Sequence, residues 1–159
     1  MSQSQTTTVM IVDDEEMVVG SIQSFLELDT EHAVLPFTSP FAALERLEAE
    51  SVNVIVADFM MPEMDGVTFL TSARERRPEA SRILLTGYAD KQNAIRAINE
   101  AGLYQYLEKP WDNDALELVI RNAVERSVLF ADLDARVAEL ERANAELSGF
   151  RERLIQAFR

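Results

Sequence analysis

Short apolar runs alternate with amphipathic stretches over roughly the first 110 positions, and the two patterns differ in period. The apolar runs are Thr8–Val12 (TVMIV), Ala33–Phe37 (AVLPF), Val52–Ala57 (VNVIVA), Arg82–Leu85 (RILL) and Tyr104–Leu107 (YQYL). The first, third and fourth are too short for helices and rich in Val, Ile and Leu, as strands buried on both faces are. Between them, Glu15–Leu28, Pro40–Glu50, Gly66–Arg76 and Asp90–Ala101 place apolar residues three and four apart, which predicts helices. Ser39 before Pro40 reads as an N-cap followed by a first-turn proline, and Gly102 as a helix stop. Pro36 cannot donate to a ladder, so the second strand belongs at a sheet edge. Strands alternating with helices imply a parallel sheet covered on both faces, with functional residues at the carboxyl ends of the strands.

A different pattern follows. From Asp112 to Arg159 there is no proline and one glycine, Gly149. The stretch predicts a single helix, about 70 Å long at 1.5 Å per residue. Leu133, Leu140, Leu147 and Leu154 recur every seven residues, with Phe130, Val137, Asn144, Arg151 and Phe158 at the companion positions. This is a coiled-coil heptad with leucine at each d position. Asn144 at an a position favours a parallel, two-stranded homodimer, with Arg136 facing Glu141 of a second copy; Gly149 and Arg151 weaken the far end. The expected division is residues 8–127 as a globular domain and 128–159 as a coiled-coil extension.

Composition narrows the chemistry. With 47% hydrophobic residues the chain can build a core. It has no cysteine, which excludes disulfides, thiolate metal sites and cysteine nucleophiles, and its one histidine is His32. Acids outnumber bases 28 to 15, a net charge of -13, which disfavours direct contact with nucleic acid or anionic membranes. No apolar run approaches the roughly 20 residues that span a bilayer. MSQSQTTT lacks the basic and apolar regions of a signal peptide, so a cytoplasmic location is expected.

Three acids fall at strand ends: Asp13 and Asp14 after the first strand and Asp58 after the third. If those strands are neighbours, the carboxylates converge on one crevice. Close carboxylates repel one another, and an all-oxygen set suits a hard cation, magnesium above all where waters and a phosphate oxygen must also fit. Lys109 ends the fifth strand, one of two lysines beside thirteen arginines, and Thr86 ends the fourth. Nucleophile, metal ligands, counter-charge and hydroxyl donor at four strand ends describe a phosphoryl site.

At this point the chain resembles the receiver domain of two-component response regulators, a CheY-like, flavodoxin-like α/β fold. The matching stretches are VMIVDDE at 9–15, IVADFMMPEMDG at 55–66, LLTGY at 84–88 and YLEKPW at 106–111. The resemblance implies a (βα)5 fold with strand order 2-1-3-4-5 and the fifth helix extended into the coiled coil. It implies that Asp58 accepts a phosphoryl group from a histidine kinase, a phosphotransfer protein or a small donor such as acetyl phosphate. It implies Mg2+ held by Asp14, Asp58 and the backbone carbonyl of Met60, and through water by Asp13. Lys109 would pair with the phosphoryl group, beside a cis bond to Pro110. Thr86 would follow the new oxygen inward and Tyr106 would fill the vacated space, whereas Tyr104 serves packing. Met60 and Tyr88 would flank the phosphoryl group and set its lifetime.

Other classes fit less well. A haloacid-dehalogenase-type phosphatase needs a second acid two residues after its nucleophile, where this chain has Met60. A pseudo-receiver that only docks or dimerises is the remaining alternative; every acid, hydroxyl and lysine position is nevertheless filled. Turnover is therefore expected only as autophosphorylation and autodephosphorylation. The output is expected through the C-terminal helix, either from the helix itself or from a domain or partner after Arg159, such as a cyclic-di-GMP enzyme or a phosphatase; no winged-helix or helix-turn-helix segment lies within these residues.

Overall fold

The structure is a computed structural model that describes residues 6–87, 91–100 and 102–158. The chain divides into two compact units, Met1–Ser127 and Val128–Arg159. In the first, strands β1 (Thr8–Val12), β2 (Ala33–Phe37), β3 (Val54–Asp58), β4 (Ser81–Thr86) and β5 (Gln105–Glu108) alternate with helices α1 (Glu16–Asp29), α2 (Pro40–Ala49), α3 (Gly66–Arg76) and α4 (Lys91–Glu100). Helix α5 follows, Asn113–Ala157. All strand pairs are parallel, in the order 2-1-3-4-5. This is the flavodoxin-like arrangement, with Pro36 on the edge strand β2.

The side-chain alternation of the strands builds two cores. Met10, Val12, Ile55, Ala57 and Leu84 meet α2, α3 and α4 through Leu47, Phe69, Leu70 and Ala97. Val9, Ile11, Val54, Val56, Ile83 and Leu85 meet α1 and α5 through Ile22, Leu26, Leu116 and Ile120. Each fully buried Val, Leu, Ile, Phe or Met among them contributes about 1.5–3 kcal/mol against its exposed state. Caps fix where the helices start. The Ser39 hydroxyl accepts from the Ala42 N–H, Asp65 from the Thr68 N–H at 2.8 Å, and Asp112 from the Ala115 N–H at 2.6 Å. Gly102 adopts φ +62°, the left-handed backbone that favours glycine after a helix.

The element ends differ from the sequence pattern for identifiable reasons. β3 begins at Val54, one residue after Asn53, whose N–H donates to the Thr8 carbonyl and whose side-chain oxygen accepts the Thr8 N–H, each at 2.9 Å. β4 gains Ser81 and Thr86. β5 begins at Gln105, and Tyr104 packs with the α1–α5 core whereas Tyr106 packs with the α2–α4 core. Strict alternation from Tyr104 would have placed both tyrosines on one face. Lys109 follows β5, which ends at Glu108, and α5 starts one residue after its cap, Asp112.

In the second unit the helix presents Leu133, Val137, Leu140, Leu147 and Leu154 as exposed side chains. Arg136 pairs with Asp132, its i, i+4 neighbour on the same helix, at 3.2 Å.

Gly66 joins β3 to α3 at close quarters: a Cβ there would stand 2.3 Å from the Asp58 carbonyl oxygen. Nothing flexible can move aside, since the obstacle is backbone. Gly66→Ala is expected to lower stability by about 1–3 kcal/mol, read from the urea midpoint, and to disturb the Asp58 loop. An unchanged midpoint would show that the approach relaxes at no cost.

Candidate functional site

The site forms where the ladders run past the carboxyl ends of the central strands. The Asp13 N–H donates to the Phe37 carbonyl at 3.2 Å, the Phe59 N–H to the Leu85 carbonyl at 2.9 Å, and the Lys109 N–H to the Thr86 carbonyl at 2.7 Å. These bonds hold the residues beyond β1, β3 and β5 in register with their neighbours. They bring Asp13, Asp14, Asp58, Thr86 and Lys109 to one end of the sheet.

Carboxylate oxygens of Asp13, Asp14 and Asp58 all lie within 4.8 Å of one another. Asp13 is buried, Asp58 is 7% exposed, and Asp14 faces solvent. One Asp13 oxygen accepts the Glu15 N–H at 3.0 Å, while its Oδ2 is buried without a hydrogen-bond partner. Burial, reinforced by the charges of Asp58 and Asp14, raises the Asp13 carboxyl to about 6; the Glu15 amide and Lys109 act against that rise. Such a set calls for positive charge. Lys109 supplies part of it, with Nζ 2.6 Å from Asp58 Oδ1. Burial alone would lower the Lys109 ammonium, but the hydrogen bond and charge of Asp58, with Asp13 and Glu15, raise it above its ordinary range. The Lys109–Pro110 peptide bond is cis.

Thr86 is fully buried, and its Oγ1 has no partner among the described residues. A buried hydroxyl without a bond is an available donor for an incoming oxygen. Tyr106 is half-buried on the α4 side, and Met60 is exposed beside the acceptor loop. Tyr88 lies outside the described residues. Sequence reasoning missed one contributor, Gly66, signalled only by its place at the end of the DFMMPEMDG segment.

A model of the response regulator receiver domain matches residues 9–121. The hydrogenase transcriptional regulatory protein HoxA of Cupriavidus necator is 41% identical over 140 residues, covering 88% of this chain and 28% of its own length. The chain thus spans little more than a quarter of that relative. Response regulator Rre1 of Synechocystis is 28% identical over 155 residues, 96% of this chain and 67% of Rre1. Among solved structures, the signal receiver domain of an HD domain-containing protein from Pseudomonas fluorescens aligns with a TM-score of 0.72 at 32% identity, covering 77% of this chain and 98% of that one. No helix among the described residues is long and apolar enough to cross a membrane.

The raised Asp13 carboxyl has a consequence for stability. The folded chain holds its proton more tightly than the unfolded chain, whose carboxyl ionises near 3.8. That preference stabilises the fold in full below pH 3.8 and is lost as pH climbs through about 6. In metal-free buffer, Asp13→Asn is therefore expected to add on the order of 1–3 kcal/mol at neutral pH and nothing near pH 4, by urea unfolding at both values. Equal effects at the two pH values would contradict the assignment.

Proposed function

Because the chain belongs to the response regulator receiver-domain family, we propose that it is a phosphorylation switch in which Asp58 accepts a phosphoryl group from a histidine kinase or phosphotransfer protein. The observation that carries this reading is the nearly buried Asp58 carboxylate, 2.6 Å from Lys109 Nζ and grouped with two further carboxylates. An Asp58 oxygen attacks the phosphorus; the phosphorus–nitrogen bond of the donor breaks and its electron pair stays on the imidazole. The product is an acyl phosphate on Asp58. Autophosphorylation from a small donor and autodephosphorylation are the only reactions this reading requires.

The residues present fit magnesium. The donors are all oxygen, three carboxylates lie together, and the Asp13 Oδ2 is buried with no protein partner. Asp14, Asp58 and the Met60 carbonyl would hold the ion, with Asp13 acting through water. When bound, magnesium neutralises charge on the carboxylates and on the phosphoryl oxygens. Lys109 moves from its bond with Asp58 to a phosphoryl oxygen. Thr86 donates its free hydroxyl to another, and Tyr106 turns inward behind it. The result biases a two-state surface formed by α4, β5 and α5, which an effector reads. Met60 beside the acceptor tunes how readily water attacks the acyl phosphate. The neighbour named for a hydrogenase transcriptional regulator and the receiver taken from an HD domain-containing protein are attached to different outputs.

The second element of the reading is a parallel homodimer through residues from about Phe130 to Phe158, which would cover the exposed leucine stripe and pair Asn144 with its own copy. Residues 8–127 then act as the receiver and 128–159 as the coiled coil.

Acetyl phosphate with magnesium is expected to add one phosphate to the wild-type chain and none to Asp58→Asn, with EDTA preventing the reaction, as read by intact mass. Labelling that survives the substitution would move the acceptor elsewhere and favour the docking-module alternative.

Sedimentation at micromolar concentration should give a dimer for the full chain and a monomer for a chain ending at Val128. Asn144→Leu should raise the melting temperature while admitting higher oligomers. A full chain that stays monomeric, phosphorylated or not, would sink the coiled-coil assignment.

A further inference from the structure

The amino ends of the strands, opposite the carboxylates, carry a group of arginines that phosphoryl chemistry does not use. Arg82, the second residue of β4, is 4% exposed. Its Nη1 donates to the carbonyls of Ala80 (2.9 Å) and Pro78 (3.5 Å), and its Nη2 to the carbonyl of Gly102 (3.0 Å). Its Nε is buried without a partner. Arg74, from α3, borders the same turn: a Cβ on Gly102 would lie 3.0 Å from Arg74 Nη1. Arg126, from α5, sits over the Tyr104 ring at 5.4 Å. Three elements thus bring three guanidinium groups to residues 102–104.

Among the described residues, none of the three makes an ion pair; the pairs found are Arg46–Glu50, Arg76–Glu48, Lys109–Asp58 and Arg136–Asp132. Among the described residues, the charge of Glu79 offsets those of Arg74 and Arg126 at Arg82. Like charges held together raise the free energy of the folded chain unless an anion balances them. In a chain of net charge -13 with 28 acids, leaving this cluster without a paired acid points to an anion from outside. Arg82 spends its outer donors on carbonyls, so it is a fixed charge behind the surface. Arg74 and Arg126 are exposed, pair with no acid among the described residues, and carry planar forks that match carboxylates. Two arginines and a tyrosine on an open surface are the residue types that anchor protein contacts.

We propose that Arg74, Arg82 and Arg126, gathered around Gly102–Tyr104, form a docking site for an acidic segment of a partner protein, with Arg74 and Arg126 receiving its carboxylates. The site lies at the far end of the sheet from Asp58, so a partner held there leaves the acceptor open.

The test is fluorescence anisotropy of a labelled hexaglutamate peptide with the full chain at low salt. Wild type should bind. Arg74→Gln and Arg126→Gln should each weaken binding by about threefold or more, and the double variant should abolish it. Arg121→Gln, another exposed arginine of α5, should bind as wild type does. Arg82 is left intact because its guanidinium anchors three carbonyls. Acetyl phosphate labelling of Asp58, equal in all variants, verifies their folding. Absence of wild-type binding, or equal binding by the double variant, would overturn the proposal. Inorganic pyrophosphate displacing the probe at lower concentration than unlabelled peptide would overturn it too, replacing the protein segment with a phosphate ligand.

Discussion

Everything at the carboxyl end of the sheet is arranged around mutual repulsion among three carboxylates. Asp13, Asp14 and Asp58 come together because β1 and β3 are adjacent, and adjacency follows from the strand order. Burial raises the Asp13 carboxyl, and the charges of Asp58 and Asp14 push it the same way. Lys109 relieves part of the strain through its contact with Asp58. The lysine reaches that point because its own amide is tied to the Thr86 carbonyl, which in turn places Thr86 alongside. One electrostatic conflict therefore links four strand ends.

Much of the first unit can be read from residue pattern alone. TVMIV and AVLPF give β1 and β2 to the residue, Gly66–Arg76 gives α3, and Pro36 assigns β2 to the edge. Those signals are local: period, branched side chains, a missing donor. What escapes the pattern depends on contacts between distant segments. The Asn53 side chain accepts the N–H of Thr8, 45 positions away, which no local pattern announces. Tyr104 looks like part of β5 until the core facing α5 claims it. Arg82 seems misplaced at the head of an apolar strand, and only the carbonyls of Pro78, Ala80 and Gly102 explain its burial.

The site was legible for a different reason. Its acids, lysine and threonine sit at strand ends, and a parallel sheet places all carboxyl ends together whatever the loops do. The sequence order of those residues accordingly carries spatial information. Burial does not follow from order: nothing in DDE distinguishes Asp13, enclosed and short of a partner, from Asp14, open to water.

The contact between Gly66 and the Asp58 carbonyl bears on how another molecule meets this end of the sheet. The Gly66 N–H also donates to the Phe59 carbonyl at 2.9 Å, so the segment from Phe59 to Asp65 is a closed ring fastened at its base. Its loop-closure entropy is spent during folding, and ordering it is no part of the work of association. A molecule arriving over the exposed Met60 meets a loop already in shape. Encounter there is then governed by diffusion and orientation, with little waiting for the loop to organise.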